Sequence, residues 1–419
     1  DLLYKTRVKV VDTKDVPSSS LTNYLRQKQN TEILGFWKLQ LHIYNTAPSD
    51  TSTVSKKRLA RNAHQIGEAP VIYDEALTAV SMEQLSKVMH NKGYFTATVD
   101  TNKTVDKRKV KLTYLVTAGP AYHIHDYKVN LDFKPLAEMA SRNSSLIKVG
   151  DVFNSDVMDE ERQRITSAMR RHGYYYFDKS LLCYEADSSQ LKRQISLELK
   201  MQDYMDKIPD SVRVKIFRQY TISRVCFHMD FDMNHRPEGV VVNTETEPGY
   251  EYSYVGHRLL RSNVLRRTCR IKPGELFNEA LVERTYAALN ALGPVKYVDI
   301  SFDPVGEDQL ECHITLSRNK LNTVTAELEG TYSAGDWGIA AGVGYVNRNI
   351  FRGAEQLSLR GRVSYEWRQN GGRAIEGSAE AGLQFPTNVR VNIAYNYQKR
   401  PLEYTRTIAN AGVYYTLNQ

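Results

Sequence analysis

The sequence has no long apolar run, although 41% of its 419 residues are hydrophobic. A helix that crosses a membrane needs roughly 18 consecutive apolar residues, so no membrane-spanning helix is predicted. The strands of a membrane barrel carry only an alternating pattern, and the missing run does not exclude them. The length itself exceeds one hydrophobic core and predicts two to four domains.

Motifs for common enzyme chemistry are also missing. The sequence contains no P-loop, no G-x-S-x-G, no H-E-x-x-H and no G-x-G-x-x-G after a strand. It therefore predicts no catalytic residue, no cofactor and no enzymatic activity.

Cysteine is scarce, with four residues and no C-x-x-C pair. Cys183, Cys226, Cys269 and Cys312 are evenly spaced by 43 residues, but their neighbouring residues do not match, so the spacing indicates no repeat. Buried thiols are the favoured interpretation. The alternative is a disulfide between Cys226 and Cys312 in an oxidising compartment.

Two histidine-containing segments come nearest to a metal-ligand set. His123 and His125 share one face of a predicted strand, without a neighbouring cluster of cysteine or carboxylate. One face of another strand carries Cys226, His228, Asp230 and Asp232. A surface or interdomain role explains the first pair better than a metal does, and a wet sheet face explains the second set, so no metal is predicted.

Charge is spread along the chain. The formal net charge is +8, without a basic tail or stripe, so nucleic acid is not predicted as a partner. Residues 46–64 are polar and basic with no clear period, and they are predicted to be a loop. Their basic run, Lys56–Arg61, is interpreted as solvated, with anionic lipid head groups as the alternative. A basic helix is predicted from Leu21 to Lys28, after Pro17.

One pattern occurs three times. Each copy begins with glycine and an acidic residue, continues as a helix with one apolar face, and has a second glycine before two strands. The opening glycines are Gly67, Gly150 and Gly274, and the glycines after the helix are Gly93, Gly173 and Gly293. A strand precedes each copy, so the repeating unit is β-α-α-β-β, and three ordered matches make a specific signal. The glycine after each helix is expected in the left-handed conformation of a helix C-terminus.

From Leu321 the sequence changes to six alternating strands of 10 to 15 residues. Leu357, Leu359 and Val363 lie on one face of the third strand, and charged residues lie on the other face. Strands of this length, with aromatic residues near their ends, favour a tilted membrane barrel over a soluble sandwich. Because eight strands are the usual minimum, the six predict an incomplete barrel.

The predicted fold class is therefore α+β, with β-α-α-β-β repeats followed by an antiparallel transmembrane β-barrel segment. Four domains are predicted, covering residues 1–120, 121–204, 205–319 and 320–419.

The segment Gly344-Tyr-Val-Asn-Arg-Asn-Ile-Phe-Arg-Gly-Ala-Glu355, between the second and third of these strands, is the most specific motif. Together with the repeats, it resembles the BamA/TamA superfamily of outer-membrane assembly proteins, in which periplasmic POTRA domains precede a barrel. The residues that carry the match are Asn347, Arg348, Asn349, Phe351, Arg352, Gly353 and Glu355. The extended first unit is similar to TamA-like members of the Bacteroidota, which are often lipid-anchored.

The resemblance implies an outer-membrane location, with residues 1–319 in the periplasm. It also implies a lateral gate at the first barrel strand, Leu321–Tyr332, with Val324, Ala326, Leu328 and Tyr332 on one face. Unfolded outer-membrane proteins would bind at the strand edges Phe95–Val99, Lys179–Tyr184 and Tyr297–Phe302. The partners are such clients, the lipid bilayer and an accessory assembly protein. The alternatives are a two-partner-type secretion pore and a periplasmic polypeptide-binding scaffold.

Overall fold

The computed structural model describes residues 1–33, 37–48, 53–141, 145–188, 193–203, 209–229, 242–333, 336–367, 373–386, 389–400 and 404–415. The chain divides into two compact units. The first comprises Asp1–Thr166 and Asp178–Lys207, and the second comprises Ser167–Phe177 and Ile208–Gln419. The four domain boundaries given by the sequence stay predictions.

The first unit contains two three-stranded sheets with helices between their strands. Its first half has β1 (Leu2–Val10), α1 (Ser18–Leu21), α2 (Leu39–Asn45), α3 (Val54–Ile66), α4 (Glu75–Asn91), β2 (Thr98–Asp106) and β3 (Lys109–Thr117). Then follow β4 (His123–Asn130), α5 (Lys134–Ala140), α6 (Ser155–Arg171), β5 (Leu182–Asp187) and β6 (Gln194–Met201).

Both sheets have the same topology. Their orders are β1-β3-β2 and β4-β6-β5, and the central strand pairs in parallel with the first strand and antiparallel with the other. A parallel pair needs a long crossover, which the helices supply. In the first sheet, alternate residues of β3 from Val110 to Val116 are buried against Leu85 and Met89 of α4. The two sheets therefore have the architecture that the repeated pattern predicts.

The second unit begins its α+β part with a larger sheet. Its elements are α7 (Asp210–Ile216), β7 (Thr221–Met229), β8 (Val242–Glu247), β9 (Tyr250–Val255), α8 (Ser262–Thr268), α9 (Glu279–Asn290), β10 (Val295–Val305) and β11 (Gln309–Arg318). The order β10-β11-β7-β9-β8 contains the same three-stranded motif. The hairpin β8–β9 is added to the outer side of β7, where the sequence analysis placed no strand.

The remaining strands form one antiparallel sheet, in which each strand pairs with the next. They are β12 (Asn322–Ser333), β13 (Asp336–Asn347), β14 (Gln356–Trp367), β15 (Arg373–Gln384), β16 (Val389–Arg400) and β17 (Tyr404–Tyr415). Every one of them has 12 residues, about twice the usual strand length. This sheet is consistent with part of a barrel, and the predicted fold class is confirmed. Within the described ranges, no helix is both long and apolar enough to span a membrane.

Two local predictions are wrong. Residues 54–66 form helix α3 rather than a loop, because Ala60 and Ala63 are buried and strong helix formers surround them. The ring of His64 stacks on Tyr44 of α2 at a centroid distance of 4.5 Å. The helix predicted over Leu21–Lys28 is reduced to α1 and a 3₁₀ turn at Thr22–Tyr24.

A buried ion pair stabilises the second half of the first unit. The side chain of Glu161 on α6 is fully buried and accepts two hydrogen bonds from Arg164, at 2.7 and 2.8 Å. It also accepts one from the N–H of Leu146 at 3.1 Å. Burial alone would raise the pKa of Glu161, but these donors outweigh it and the pKa is lowered.

Replacing Glu161 with Ala should destabilise this part of the protein by about 3 kcal/mol, because Arg164 then loses the buried carboxylate that accepts its hydrogen bonds. Hydrogen exchange of the β4–β6 amides in the full chain measures the effect. The pKa of Glu161 in the folded protein lies below its ordinary value of 4.5. The stability that its carboxylate contributes is therefore full above pH 4.5 and is lost as the pH falls through the folded pKa. The exposed neighbour Glu160→Ala is the control. Equal exchange in both variants would contradict this account.

Candidate functional site

The register of the six-stranded sheet separates an apolar face from a polar face. Val324 pairs with Tyr345, Tyr345 with Leu359, Leu359 with Ala381 and Ala381 with Ile393. Residues paired across strands share one side of a sheet, so these five form an apolar row across β12 to β16. The neighbouring row of the same face contains Ala326, Val343, Gly361, Ala379 and Tyr395.

This apolar face is uncovered among the described residues. The side chain of Leu328 is 78% exposed, Val324 71% and Val343 61%. Val363 and Ile393 on the inner strands are also exposed. Soluble monomers rarely present an apolar surface of this extent to water, which indicates contact with lipid or with another apolar partner.

The opposite face is polar and charged. Arg362 of β14 forms an ion pair with Glu329 of β12 across the intervening strand, at 2.7 Å. Arg360 lies opposite Glu380 in the register of β14 and β15. Alternating sides of each strand thus face apolar and aqueous surroundings, as barrel strands do.

Aromatic residues collect at one end of the apolar face. The rings of Tyr332 and Trp337 are 4.8 Å apart, and those of Tyr365 and Trp367 are 4.6 Å apart. Tyr395 lies in the middle of β16, opposite Ala379, and not near a strand end as the sequence analysis expected of the aromatic residues.

The predicted gate residues lie together on the outer strand of this sheet. Val324, Ala326, Leu328 and Tyr332 all project from the apolar face of β12, and all four are exposed. β12 pairs with β13 along its whole length. On its other side it has no paired strand among the described residues, so one edge of its backbone is unpaired.

The turn from Asn347 to Glu355 is closed by its own hydrogen bonds. Asn349 is buried, and its side-chain oxygen accepts the N–H of Ala354 at 3.1 Å. The carboxylate of Glu355 accepts the N–H of Gly353 at 2.9 Å and occupies the space that a Cβ at position 353 would need. Only glycine fits there without displacing Glu355.

The same turn binds the α+β part of the second unit, the sheet β7 to β11 with its helices, which is called the third α+β domain below. The side-chain amide of Asn349 donates to the carbonyl of Leu259 at 2.7 Å, and the N–H of Arg261 donates to the carbonyl of Arg352 at 3.0 Å. Ala354 is buried in the core of that domain. Phe351, by contrast, is half-exposed although it belongs to the same motif. The partners Leu259 and Arg261 gave no signal in the sequence, because they contact the turn through backbone atoms.

The turn also holds the first residues of β12. Arg348 donates to the side-chain oxygen of Thr323 at 2.7 Å and to the carbonyl of Lys320 at 3.1 Å. The side-chain amide of Asn347 donates to Asn322 at 2.7 Å. The motif thus connects the third domain to the start of the edge strand.

The predicted repeat glycines fall into two groups. Gly93 and Gly173 follow their helices with φ of 87° and 98°, as expected, and Gly150 and Gly274 also have positive φ. Gly293 does not, which corrects the prediction for the third copy. There α9 ends at Asn290, and the chain leaves it through a right-handed residue, Ala291. Gly67 also lacks a positive φ and instead lies against the backbone of Tyr44.

Aromatic residues after these glycines contact the following repeat. Within the first unit, the ring of Phe95 packs edge-on against Tyr122 at 4.9 Å and lies 5.4 Å from Phe153. Within the second unit, Tyr175 packs edge-on against Phe277 at 5.0 Å. Tyr94 and Tyr174, which directly follow the glycines, are buried, whereas the next residue in each case contacts the following repeat.

The predicted client-binding segments lie on outer strands. Strand β10 contains the third segment, and strands β2 and β5 contain the last residues of the first two. Each of these strands is at the edge of its sheet. Nearly all residues of β2 are exposed. Residues 95–97 and 179–181 precede the strands that the prediction assigned them to.

The four cysteines are free thiols in the structure. Cys226 lies opposite His313, and Cys312 opposite Val225, so the two thiols project from opposite faces and form no disulfide. Cys226 donates to Glu311 at 3.0 Å. Burial raises the pKa of Cys269 to about 11, which leaves that thiol protonated.

The two histidine-containing segments have other contacts. His228 and His313 are joined by a 3.0 Å contact between ring nitrogens, and His123 contacts the carbonyl of Gly150 through Nδ1 at 2.9 Å. Asp230 and Asp232 lie outside the described residues. In the described part of the chain, no group of three or more such side chains is placed to hold a metal.

Replacing Asn349 with Ala should loosen the turn by about 1–3 kcal/mol, because a buried carbonyl and a buried N–H lose their partners. Faster hydrogen exchange at residues 349–355 is the expected result. Phe351→Ala is the matched control, since this half-exposed motif residue should change stability by no more than about 0.5 kcal/mol. A larger effect from Phe351 than from Asn349 would contradict the geometry.

Comparison with known proteins identifies the first repeat. The POTRA family model, described as "Surface antigen variable number repeat", matches residues 4–119. No curated protein matches the sequence.

Solved structures with similar folds share little sequence with this chain. The crystal structure of Haemophilus influenzae BamA POTRA3-5 is 14% identical, with a TM-score of 0.39, and the match covers 75% of this chain and 96% of that one. BamA from Haemophilus ducreyi lacking POTRA domains 1–3 is 14% identical with a TM-score of 0.38, and the match covers 70% of this chain and 58% of that one. CdiB from Acinetobacter baumannii is 10% identical with a TM-score of 0.31, and the match covers 67% of this chain and 45% of that one.

These TM-scores lie below 0.5, so the assignment rests on the POTRA match, on the repeated topology and on the six-stranded sheet. The outer-membrane location, with the POTRA domain in the periplasm, stays a prediction that the POTRA match supports. The Bacteroidota type stays a prediction. The family match identifies residues 4–119 of this chain as a POTRA domain.

Proposed function

We propose that this protein receives unfolded outer-membrane proteins on POTRA strand edges and inserts them through a lateral gate at β12. In this proposal residues 1–319 lie in the periplasm and residues 320–419 are barrel strands. The observation that carries the proposal is the uncovered apolar face of the six-stranded sheet, in which β12 is an outer strand among the described residues.

An unpaired strand edge in lipid is unfavourable. Each unsatisfied N–H or C=O costs several kcal/mol in the hydrocarbon region, where no water replaces the missing partner. A client strand that pairs with β12 would satisfy these groups. Its pairing would lower the free energy of both chains, so insertion would need neither ATP nor a catalytic residue.

The POTRA edges suit the preceding step. β2, β5 and β10 are outer strands that offer main-chain donors and acceptors. Strand addition at such an edge reads the backbone, so it accepts clients of varied sequence. Unfolded clients share an extended backbone but few side-chain features, which is why this mode of binding is the appropriate one.

The turn motif would keep the gate strand in place. Arg348 and Asn347 fix the start of β12, and Asn349 fixes the turn to the third domain. The first residues of β12 would therefore keep their register while a client strand pairs along its outer edge. A movement of the third domain would reach the gate through the same hydrogen bonds.

Photo-crosslinking from Val324, Ala326 and Leu328 tests the gate in cells that make the full-length protein. Crosslinks to newly made barrel proteins are expected from these positions. The matched controls are Leu359 and Val363 of β14, which lie on the same apolar face but have a paired strand on each side. These two side chains are also exposed, although less than Val324 and Leu328, and a strand is paired on each side of their backbone.

Four results would contradict the proposal. No client crosslinks from β12, or equal crosslinks from β12 and β14, would remove the lateral gate. Crosslinks to a transported polypeptide from Glu329 and Arg362 on the polar face alone would favour a secretion pore. Detergent-free solubility of residues 320–419 within the full-length protein would favour the periplasmic scaffold.

A further inference from the structure

A cavity of about 970 Å³ lies where the third α+β domain meets the six-stranded sheet, within the second unit. Its walls are helix α8, the C-terminal end of α9, residues 353–356 of the turn and the end of β15. The volume is that of a small-molecule site.

The cavity is rich in arginine. Arg261, Arg267 and Arg270 line it, and no carboxylate among the described residues forms an ion pair with them. The one lining carboxylate, Glu355, already accepts the N–H of Gly353. Arg266 of the same helix differs, because it forms an ion pair with Glu247 at 2.9 Å and does not line the cavity. The site thus holds uncompensated positive charge.

Apolar side chains complete the walls. Leu292 of α9, Val264 of α8 and Phe385 after β15 all line the cavity. A free inorganic anion would use the guanidinium groups and leave this apolar surface unoccupied. An amphiphile with an anionic head would use both parts of the site.

A peptide fits the walls less well than a lipid does. Peptides that bind by backbone pairing need an unpaired strand edge, and the walls here are helix surfaces and turns. Guanidinium groups bind phosphate oxygens in a bidentate manner, which favours a phosphate group as the anion.

We propose that this cavity binds the phosphate head group of an anionic phospholipid. Arg261, Arg267 and Arg270 hold the phosphate oxygens, and Leu292 and Phe385 contact the glycerol and upper acyl carbons. The bound lipid would stabilise the joint between the third domain and the turn. The inference does not depend on insertion through β12.

Binding is measured on the full chain in a nonionic detergent, with dihexanoyl phosphatidylglycerol as the probe. The wild type should bind it, and Arg267→Gln combined with Arg270→Gln should weaken binding by about tenfold or more, since two charge-assisted hydrogen-bond donors are lost. Arg266→Gln, one position away on the same helix, should bind like the wild type. Unchanged melting temperatures would show that the variants are folded.

Further ligands separate the possible sources of the anion. Inorganic phosphate and zwitterionic dihexanoyl phosphatidylcholine should bind at least about tenfold more weakly, because the first lacks the apolar part and the second lacks net charge. Equal affinity for inorganic phosphate would overturn the lipid assignment. So would displacement of the lipid by a glutamate-rich peptide at lower concentration, or equal loss of binding in Arg266→Gln.

Discussion

The rest of the structure depends on one constraint, namely that the apolar face of the six-stranded sheet must be kept out of water. The face continues from β12 to β16 in register, and nothing in the described chain covers it. Burial of apolar surface is worth roughly 25 cal/mol per Å², so a face of this extent would strongly favour a lipid environment. The charged face of the same strands then faces the aqueous interior.

This constraint gives the edge strand its importance. In water, backbone groups of β12 that lack a paired strand could bind solvent, but in lipid they could not. The fold holds the start of this strand and attaches it to the third domain. The turn from Asn347 to Glu355 holds the start of the strand by hydrogen bonds to Thr323 and Asn322. The same turn is attached to the third domain through Asn349 and Ala354.

Periodic features of the fold could be predicted from the sequence. Strand alternation from Leu321 onward gives the two faces directly, because successive side chains of a strand point to opposite sides. The repeated glycine–helix–glycine pattern gives the POTRA-like units for a similar reason. Gly93 and Gly173 occur where a helix ends and a left-handed residue is needed.

Features that depend on distant contacts could not be predicted. Helix α3 looked like a loop because the residues that it buries, Ala60 and Ala63, are small, and only the packing shows that they are buried. The hairpin β8–β9 was missed, although Tyr250, Tyr252 and Tyr254 alternate after the Pro-Gly turn at 248–249. The contact of Asn349 with Leu259 joins residues 90 positions apart through a backbone carbonyl, which leaves no pattern in the sequence.

The central claim is that alternate residues of β12 face lipid and water, and spin-label accessibility tests it most directly. Labels are placed one at a time at positions 324 to 329 of the full chain in lipid vesicles. The background is Cys183→Ser, since the other three cysteines are buried. Val324, Ala326 and Leu328 should be accessible to oxygen, and Thr325, Glu327 and Glu329 to a water-soluble nickel chelate. Access to the chelate at all six positions would contradict the account.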